Sequence, residues 1–235
     1  RSENIFGICD FGDLKKTIAW AVQTKQNPVQ ILPINDTTMT HTWKDSYPYN
    51  SISIYALHPL YADLKQLGTL KNKRKMGEFN RRQQALNALE VMDYEAVNQC
   101  KWEYFRLIFK QEGEAVLASD AFKQFFESNR EWLQPYAAFS YLRDVYKTPN
   151  FTEWPEHSVY NAAEIETLCQ PTSTIYPDIA IYYYIQFNLH LQLLDATEHA
   201  RKQGVVLKGD IPIGLSRTSV EDRKEPHYFN MNGQA

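Results

Sequence analysis

Residues 204–214, Gly-Val-Val-Leu-Lys-Gly-Asp-Ile-Pro-Ile-Gly, constrain the fold more than any other part of this 235-residue chain. They combine a glycine that can end a helix, a short run rich in β-branched residues, and Asp210 in a turn fixed by Pro212 and Gly214. This order predicts a helix end, a buried parallel strand and a polar residue at the strand's carboxyl end, where α/β folds and barrels carry their sites. From this stretch alone, the commoner explanation is that Asp210 only closes the turn.

The N-terminal part of the chain repeats this order of elements. Asp13 is a suitable N-cap, and the apolar spacing predicts a helix from there to Thr24, which Asn27-Pro28 then ends. Residues 29–34, Val-Gln-Ile-Leu-Pro-Ile, predict a short strand that is followed by a polar loop. We expect this strand to lie beside the strand of residues 204–214.

A long loop, residues 35–51, follows the first predicted strand and shows little periodicity. Loops longer than about a dozen residues are usually functional or disordered, and Trp43, Tyr47 and Tyr49 argue against disorder. Aromatic faces among Asp, Asn and Ser suit sugar rings, which stack through their C–H faces and hydrogen-bond through their hydroxyls. A packed surface loop explains the same composition equally well.

The middle of the chain, residues 77–146, predicts consecutive helices whose apolar stripes are packing faces. Asp93 can cap a helix that ends near Gly113, and Ser119 can cap the next one. Pro135 can lie in the first turn of a further helix.

Three other stretches are less regular. Residues 71–75 form a basic run, which we interpret as a solvated connector, and residues 147–177 contain four prolines and predict irregular structure. Residues 178–203 alternate polar and apolar positions like a strand, but they run too long without a turn signal. Basic residues before Gly204 favour a helix end, so we predict one largely buried helix there.

Composition excludes several classes of function. The net charge of −3 offers no general attraction for nucleic acid or for an anionic membrane. Cys9, Cys100 and Cys169 are sparse and far apart, which argues against disulfides or a zinc site and favours a reducing, cytoplasmic compartment. The six histidines lack metal-ligand spacing, and no apolar run reaches the roughly 18 residues of a membrane span.

Four motifs together resemble one enzyme family. They are Gly-Ile-Cys-Asp-Phe-Gly at 7–12, Gln-Ile-Leu-Pro-Ile at 30–34, Asp-Ser-Tyr-Pro-Tyr-Asn-Ser at 45–51 and Lys-Gly-Asp-Ile-Pro-Ile-Gly at 208–214. The chain is similar there to the amylomaltases, the disproportionating 4-α-glucanotransferases of glycoside hydrolase family 77. It most resembles the longer branch, which includes the plant cytosolic enzyme and relatives in gut bacteria. Cys9 stands where the family has a glycine.

The resemblance implies an α/β fold: a partial (β/α)8 TIM barrel, about strands 2 and 3, with a large all-α insertion between them. Residues 1–66 would be one barrel segment, residues 67–177 the helical insertion and residues 178–235 a second barrel segment. The implied activity is transfer of α-1,4-glucan segments between maltooligosaccharides or glycogen. The rest of the parent barrel would be the partner of this chain, and no metal or organic cofactor is implied.

The resemblance also assigns site residues. Tyr49 matches a tyrosine that stacks near the cleaved bond, and Asp210 matches an aspartate that shapes the subsite of the reacting glucose. Tyr47 stands where many shorter members have serine. Four further residues of the same motifs complete the predicted substrate-binding set: Ser51, Asp45, Asn50 and Pro212.

No catalytic residue is expected within the chain. Retaining transfer needs two carboxyl groups about 5–5.5 Å apart, and the family carries its Asp nucleophile, its Glu acid/base and a helper Asp on strands four, five and seven. These strands would lie downstream of residue 235. The chain is therefore expected to supply substrate-binding walls and to be inactive alone.

Two other functions stay open at this point. The first is a hydrolase of the α-amylase type, although those enzymes usually end their third strand in an Asp-x-x-x-Asn-His pattern. Here Ile-Pro-Ile-Gly-Leu follows Asp210. The second is a non-enzymatic helical interaction module centred on residues 77–145.

Overall fold

A computed structural model describes residues 2–3 and 5–229 of the chain. The final residues of the second predicted barrel segment, 230–235, lie outside the described residues. The helices and strands follow one another as α1 (Phe11–Gln23), β1 (Pro28–Gln30), β2 (Asn50–Ser51), α2 (Lys73–Ala88), α3 (Tyr94–Ala118), α4 (Asp120–Tyr146), α5 (Ala162–Leu168), α6 (Tyr176–Lys202), β3 (Val206–Lys208), β4 (Gly214–Leu215) and α7 (Val220–Lys224).

Helix α1 begins about one turn earlier than predicted, because Asp10 and not Asp13 caps it. The Asp10 carboxylate accepts a hydrogen bond from the Asp13 amide at 3.0 Å, which satisfies one of the free N–H groups of the first turn. The Asp13 carboxylate lies in that first turn, where the helix dipole favours a negative charge. The apolar face predicted for this helix comprised Leu14, Ile18, Ala21 and Val22; Ile18 and Ala21 are buried, whereas Val22 is 39% exposed.

The two predicted strands lie side by side and parallel. β1 pairs with β3 in a register that sets Val29 opposite Leu207, and the Ile31 amide continues the ladder to the Lys208 carbonyl at 3.0 Å. β1 is shorter than the predicted range of residues 29–34. Pro33, which has no N–H group, cannot extend the pairing.

Strand β3 is exposed on one face, so the prediction of a buried strand is wrong. Val29 and Leu207 pack on a small cluster that includes Ile18 and Ala200, whereas Val206 on the opposite face is 61% exposed. A parallel strand is buried when elements cover both faces of its sheet. Within the described residues, helices cover one face.

Helices α2, α3, α4 and α6 build the main core, and aromatic rings fill much of it. Trp102 of α3 packs edge-on against Tyr182 of α6 with 5.4 Å between ring centroids. Phe122 of α4 packs in the same way against Phe187 of α6 at 5.5 Å. Edge-to-face pairs add stabilisation beyond the area they bury. The interpretation of the helical stripes as packing faces is confirmed.

Asp93 and Ser119 cap α3 and α4 as predicted, but α3 does not end near Gly113. Gly113 is buried inside α3, and a Cβ atom at this position would collide with the Phe109 ring. This glycine therefore serves side-chain packing, and the helix continues for more than a turn beyond it.

Pro135 lies inside α4, so the prediction that it begins a new helix is wrong. Helix α4 contacts α6 on both sides of the proline: Phe122 packs against Phe187, and Tyr136 packs against Tyr182. Proline removes one backbone hydrogen bond and disfavours a helix interior. Packing of both halves on the same neighbour keeps the helix continuous.

The basic run at residues 71–75 is more than a connector, because α2 begins within it at Lys73. The Asn72 side chain accepts a hydrogen bond from the Lys75 amide at 3.1 Å and caps the helix. Arg74 and Lys75 then pair with Glu78 at 3.4 and 3.0 Å. The run is a solvated helical turn whose charge is partly neutralised one turn further on.

Helix α6 confirms that residues 178–203 form one largely buried helix. It ends at Lys202, and Gly204 follows its C-cap with a φ of +71°, the left-handed conformation that glycine adopts readily. The Val205 amide then donates to the Ala200 carbonyl at 2.9 Å and directs the chain into β3.

Two buried glutamines of α6 bind the backbone of the segment between β2 and α2. Gln186 accepts from the Leu57 amide at 2.8 Å and donates to the Leu57 carbonyl at 2.7 Å. Gln192 does the same with the amide and carbonyl of Asp63, at 2.8 and 3.0 Å. Because a side-chain amide both donates and accepts, each glutamine satisfies two buried backbone groups.

Lys101 of α3 is fully buried beside the same segment. Its Nζ atom donates to the Leu60 carbonyl at 2.6 Å and to the Ala62 carbonyl at 2.8 Å. Burial lowers the pKa of Lys101 to about 8, against the opposing attraction of Asp10 and Asp63. Two carbonyl contacts and the nearby carboxylates of Asp10 and Asp63 thus hold an ammonium group in the interior.

Candidate functional site

The carboxyl ends of β1 and β3 lie at one edge, because the two strands are parallel neighbours. The chain pairs again beyond this edge: β2 runs parallel to β4, with Asn50 opposite Gly214 and Ser51 opposite Leu215. This second pairing brings the residues just before β2 next to the residues just after β3.

Tyr49 and Asp210 meet at this edge. The Tyr49 hydroxyl donates to one Asp210 carboxylate oxygen at 2.7 Å, and the other oxygen accepts from the Ile211 amide at 2.9 Å. The hydrogen bond to Asp210 is the main cause of a raised pKa of Tyr49, so the hydroxyl stays protonated. Both side chains are half-buried, which leaves an aromatic face and a carboxylate available to a polar ring compound.

Asp45 orders the loop that carries Tyr49. Its carboxylate is 2% exposed and accepts hydrogen bonds from the Thr40 amide at 2.9 Å, the Thr40 hydroxyl at 3.1 Å and the His41 amide at 2.6 Å. These donors occupy the carboxylate within the loop. Asp45 therefore orders the loop, and its direct contact with substrate stays a prediction.

Asp36, which the sequence did not single out, connects the start of the same loop to α4. It is 1% exposed, and its carboxylate accepts from the Thr38 hydroxyl at 2.6 Å and from the Tyr136 hydroxyl at 2.6 Å. The Asp36 carbonyl accepts from the Ile52 amide at 2.7 Å, just after β2. Sequence reasoning had no signal for this connection, since Asp36 and Tyr136 lie 100 residues apart.

A second polar group joins the loop to α4. Arg143 is 2% exposed and donates to the Thr38 carbonyl at 2.6 Å and to the Asp144 carboxylate at 2.9 Å. His41 Nε2 lies 2.9 Å from the same carboxylate oxygen. Burial raises the pKa of Asp144, but Arg143 and His41 outweigh it and hold that pKa well below its usual range. A cavity of about 530 Å³ opens beside these residues.

Similarity to known proteins covers the whole chain. A family model described as 4-alpha-glucanotransferase matches residues 1–235. The chain belongs to the 4-α-glucanotransferase family. The rice (Oryza sativa subsp. japonica) 4-alpha-glucanotransferase DPE2 is 41% identical over 232 residues, which are 99% of this chain and 24% of the rice protein. The Chlamydia caviae 4-alpha-glucanotransferase is 30% identical over 237 residues, 100% of this chain and 43% of that protein.

Solved structures of 4-α-glucanotransferases share the fold. The amylomaltase from Streptococcus agalactiae, in complex with acarbose, superposes with a TM-score of 0.77 at 21% identity, over 95% of this chain and 44% of that chain. The Corynebacterium glutamicum amylomaltase gives 0.70 at 18% identity, over 97% of this chain and 31% of that chain. The resemblance to this family is confirmed, and the chain spans less than half the length of these relatives.

The remaining predicted residues of this glucanotransferase-family chain have different environments. Ser51 is fully buried, and its hydroxyl has no hydrogen-bond partner within the described residues. Pro212 is buried in the turn after β3, whereas Asn50 is exposed next to Tyr49. The Asn50 side chain contacts the Met39 sulfur at 3.9 Å.

Two kinds of feature are absent from residues 2–3 and 5–229: a metal-binding cluster and a helix that could span a membrane. In this part of the chain, no group of three or more His, Cys, Asp and Glu side chains is arranged to hold a metal ion. Over the same residues, none of the helices combines the length and the apolar composition that crossing a bilayer requires.

Proposed function

We propose that this chain supplies part of the substrate-binding wall of a retaining 4-α-glucanotransferase, which moves α-1,4-glucan segments between maltooligosaccharides or glycogen. The observation that carries the proposal is the hydrogen bond between Tyr49 and Asp210, at the shared carboxyl edge of two parallel strands. Ligands of α/β folds bind at such edges. The acarbose complex of the Streptococcus agalactiae amylomaltase supports an oligosaccharide as the ligand.

We further propose that β1 and β3 are neighbouring strands, about the second and third, of a (β/α)8 barrel. Residues 1–66 and 178–235 then form barrel segments, and residues 67–177 form the insertion between them. Exposed apolar side chains support this arrangement: Val206, Ile211 and Ile213 are 61%, 76% and 93% exposed, and the remaining barrel would cover them.

In this proposal the chain binds and orients glucan but does not break bonds. Retaining transfer needs a nucleophile and an acid/base about 5–5.5 Å apart, whereas Asp210 faces a tyrosine hydroxyl instead of a second carboxyl group. We therefore assign the nucleophile and the acid/base to other parts of the full-length protein. Tyr49 stacks on a sugar ring, and Asp210 accepts hydrogen bonds from sugar hydroxyls.

We also assign the protein to the cytoplasm. Cys9, Cys100 and Cys169 are all free thiols, two of them buried, which suits a reducing compartment.

The binding claim can be tested on the chain itself with maltoheptaose as the probe. Saturation-transfer NMR detects weak sugar binding and should show contact with the wild-type chain. Tyr49→Ala removes the stacking face and should weaken binding about tenfold, and Asp210→Asn should weaken it as well. Tyr55→Ala serves as control, since Tyr55 is 53% exposed but stacks on Trp132. Equal affinity of Tyr49→Ala and the wild type would refute the assignment.

A second assay tests where the catalytic carboxyl groups lie. The chain alone should release no glucose from maltotriose above an Asp210→Ala control. Measurable release by the wild-type chain, lost in that variant, would contradict the assignment of the nucleophile and acid/base to other parts of the protein.

A further inference from the structure

Tyr47 lies beside Tyr49 but has no role in the site described so far. Its side chain is 62% exposed, and its ring centroid lies 5.7 Å from that of Tyr49. The two ring planes are inclined by 51°, so the rings form an open angle instead of a flat stack. Tyrosine offers a large contact area at a low cost in conformational entropy.

The backbone fixes Tyr47 in this position. The Asn50 amide donates to the Tyr47 carbonyl at 3.2 Å and closes a turn around Pro48. Proline at this position restricts φ and stiffens the turn. On its other side, Tyr47 directly follows the short 3₁₀ helix Trp43–Ser46, which contains the buried Asp45.

The second ring is fixed independently, because the Tyr49 hydroxyl is bound to Asp210 across the edge. The hydrogen bond to Asp210 therefore orients the Tyr49 ring, and the turn fixes the backbone from which the Tyr47 ring extends, before a ligand arrives. A preorganised pair of rings loses little freedom on binding, which favours affinity.

We propose that Tyr47 and Tyr49 form a two-ring platform for consecutive glucose units of an α-1,4-glucan, with Tyr47 receiving the unit next to the one on Tyr49. The α-1,4 linkage turns each sugar ring relative to its neighbour, so successive C–H faces are inclined to one another. A flat pair of rings would fit one unit well, whereas an inclined pair can contact two. Tyr47 then makes the site select for chain length. This inference rests on the proposed function and deepens it.

The test compares ligands of increasing length: glucose, maltose and maltotriose. Dissociation constants are measured by NMR titration of the chain, following the Asn50 amide next to the platform. In the wild type, affinity should rise from glucose to maltotriose as the second ring becomes occupied. The gain is the ratio of the glucose dissociation constant to the maltotriose dissociation constant. In Tyr47→Ala this ratio should be about fivefold smaller than in the wild type. The affinity for glucose should stay within about twofold of the wild type.

Two control variants separate stacking from other effects. Tyr47→Phe keeps the ring and should keep the gain in affinity with length. Tyr55→Ala removes an exposed tyrosine whose ring lies on Trp132 and should also keep it. Loss of the gain in Tyr47→Phe would show that the hydroxyl, and not the ring face, makes the contact, and would overturn the platform.

The outcomes also distinguish this inference from the proposed function. In one outcome, Tyr49→Ala weakens the binding of all three sugars while Tyr47→Ala keeps the wild-type gain in affinity with length. That result would refute the two-ring platform and leave the proposed glucan site in place. If the wild-type chain binds none of the three sugars and no maltoheptaose, both are overturned.

Discussion

Lys101 should make the chain more stable as the pH rises from about 8 to 10. The folded state buries its ammonium group completely, and burial lowers the pKa of Lys101 to about 8 from an ordinary value of 10.5. In this window the unfolded chain keeps the proton that the folded chain has released. Since the unfolded state then binds more protons, the free energy of unfolding increases with pH.

The magnitude follows from the two pKa values. A pH unit well between them contributes about 1.4 kcal/mol, and less near either pKa, so the contribution of Lys101 should grow by about 2 kcal/mol between pH 8 and pH 10. The neutral amine still has two N–H groups for the Leu60 and Ala62 carbonyls, so both contacts persist after deprotonation. Buried tyrosines with raised pKa values, such as Tyr94, have the opposite effect. Above about pH 10 they lower the free energy of unfolding as the pH rises, because the unfolded chain then loses tyrosine protons that the folded chain keeps.

The assay is urea unfolding of the wild type and of Lys101→Met at pH 7, 8, 9 and 10. The difference in free energy of unfolding, wild type minus variant, should rise with pH, because titrations of cysteine and tyrosine cancel between the two proteins. Lys123→Met provides the control, since the Lys123 side chain is 62% exposed and should give a flat difference. A difference for Lys101→Met that changes by less than about 0.5 kcal/mol over this range would refute the reasoning, because water would then reach the ammonium group.

Three further outcomes are expected. Tyr136→Phe should lower the free energy of unfolding by about 2 kcal/mol, because the Asp36 carboxylate loses a buried donor. A double-mutant cycle with Asp36→Asn should show that the two effects are coupled, and additive effects would contradict this prediction. Asp210→Asn should lower the pKa of the Tyr49 hydroxyl toward its ordinary value, since the carboxylate that favours the protonated form is gone; an unchanged NMR titration of the Tyr49 ring would rule out the hydrogen bond. Asp93→Ala should cost about 1 kcal/mol of stability in thermal unfolding, and a cost near zero would mean that the cap at the start of α3 contributes nothing.

Local signals in the sequence were sufficient for the elements around the candidate site. Residues 204–214 predicted a helix end at Gly204, a strand and Asp210 after it, because glycine and proline act on the neighbouring backbone whatever the rest of the fold. For Tyr49 the resemblance of residues 45–51 to the enzyme family was needed to imply a place at the matching edge, and the structure joins the two side chains.

Predictions failed where distant contacts override local preference. Gly113 and Pro135 carry the usual signals of helix ends, yet α3 and α4 continue through them because their flanking side chains pack in the core. Asp36 and Asp45 look alike in sequence, as polar residues of one loop. Only their partners, in α4 for Asp36 and within the loop for Asp45, separate their roles.

Helix α6 has a consequence for movement within the molecule. Its 27 residues make a continuous rod about 40 Å long, which starts among the aromatic rings of the helical core and ends at the turn into β3. A rod of this kind has no hinge at which the helical part could swing independently of the strands. A displacement of α3 or α4 should therefore move α6 as well, and with it the strand β3 and Asp210. We expect the helical part and the strands to move as one unit.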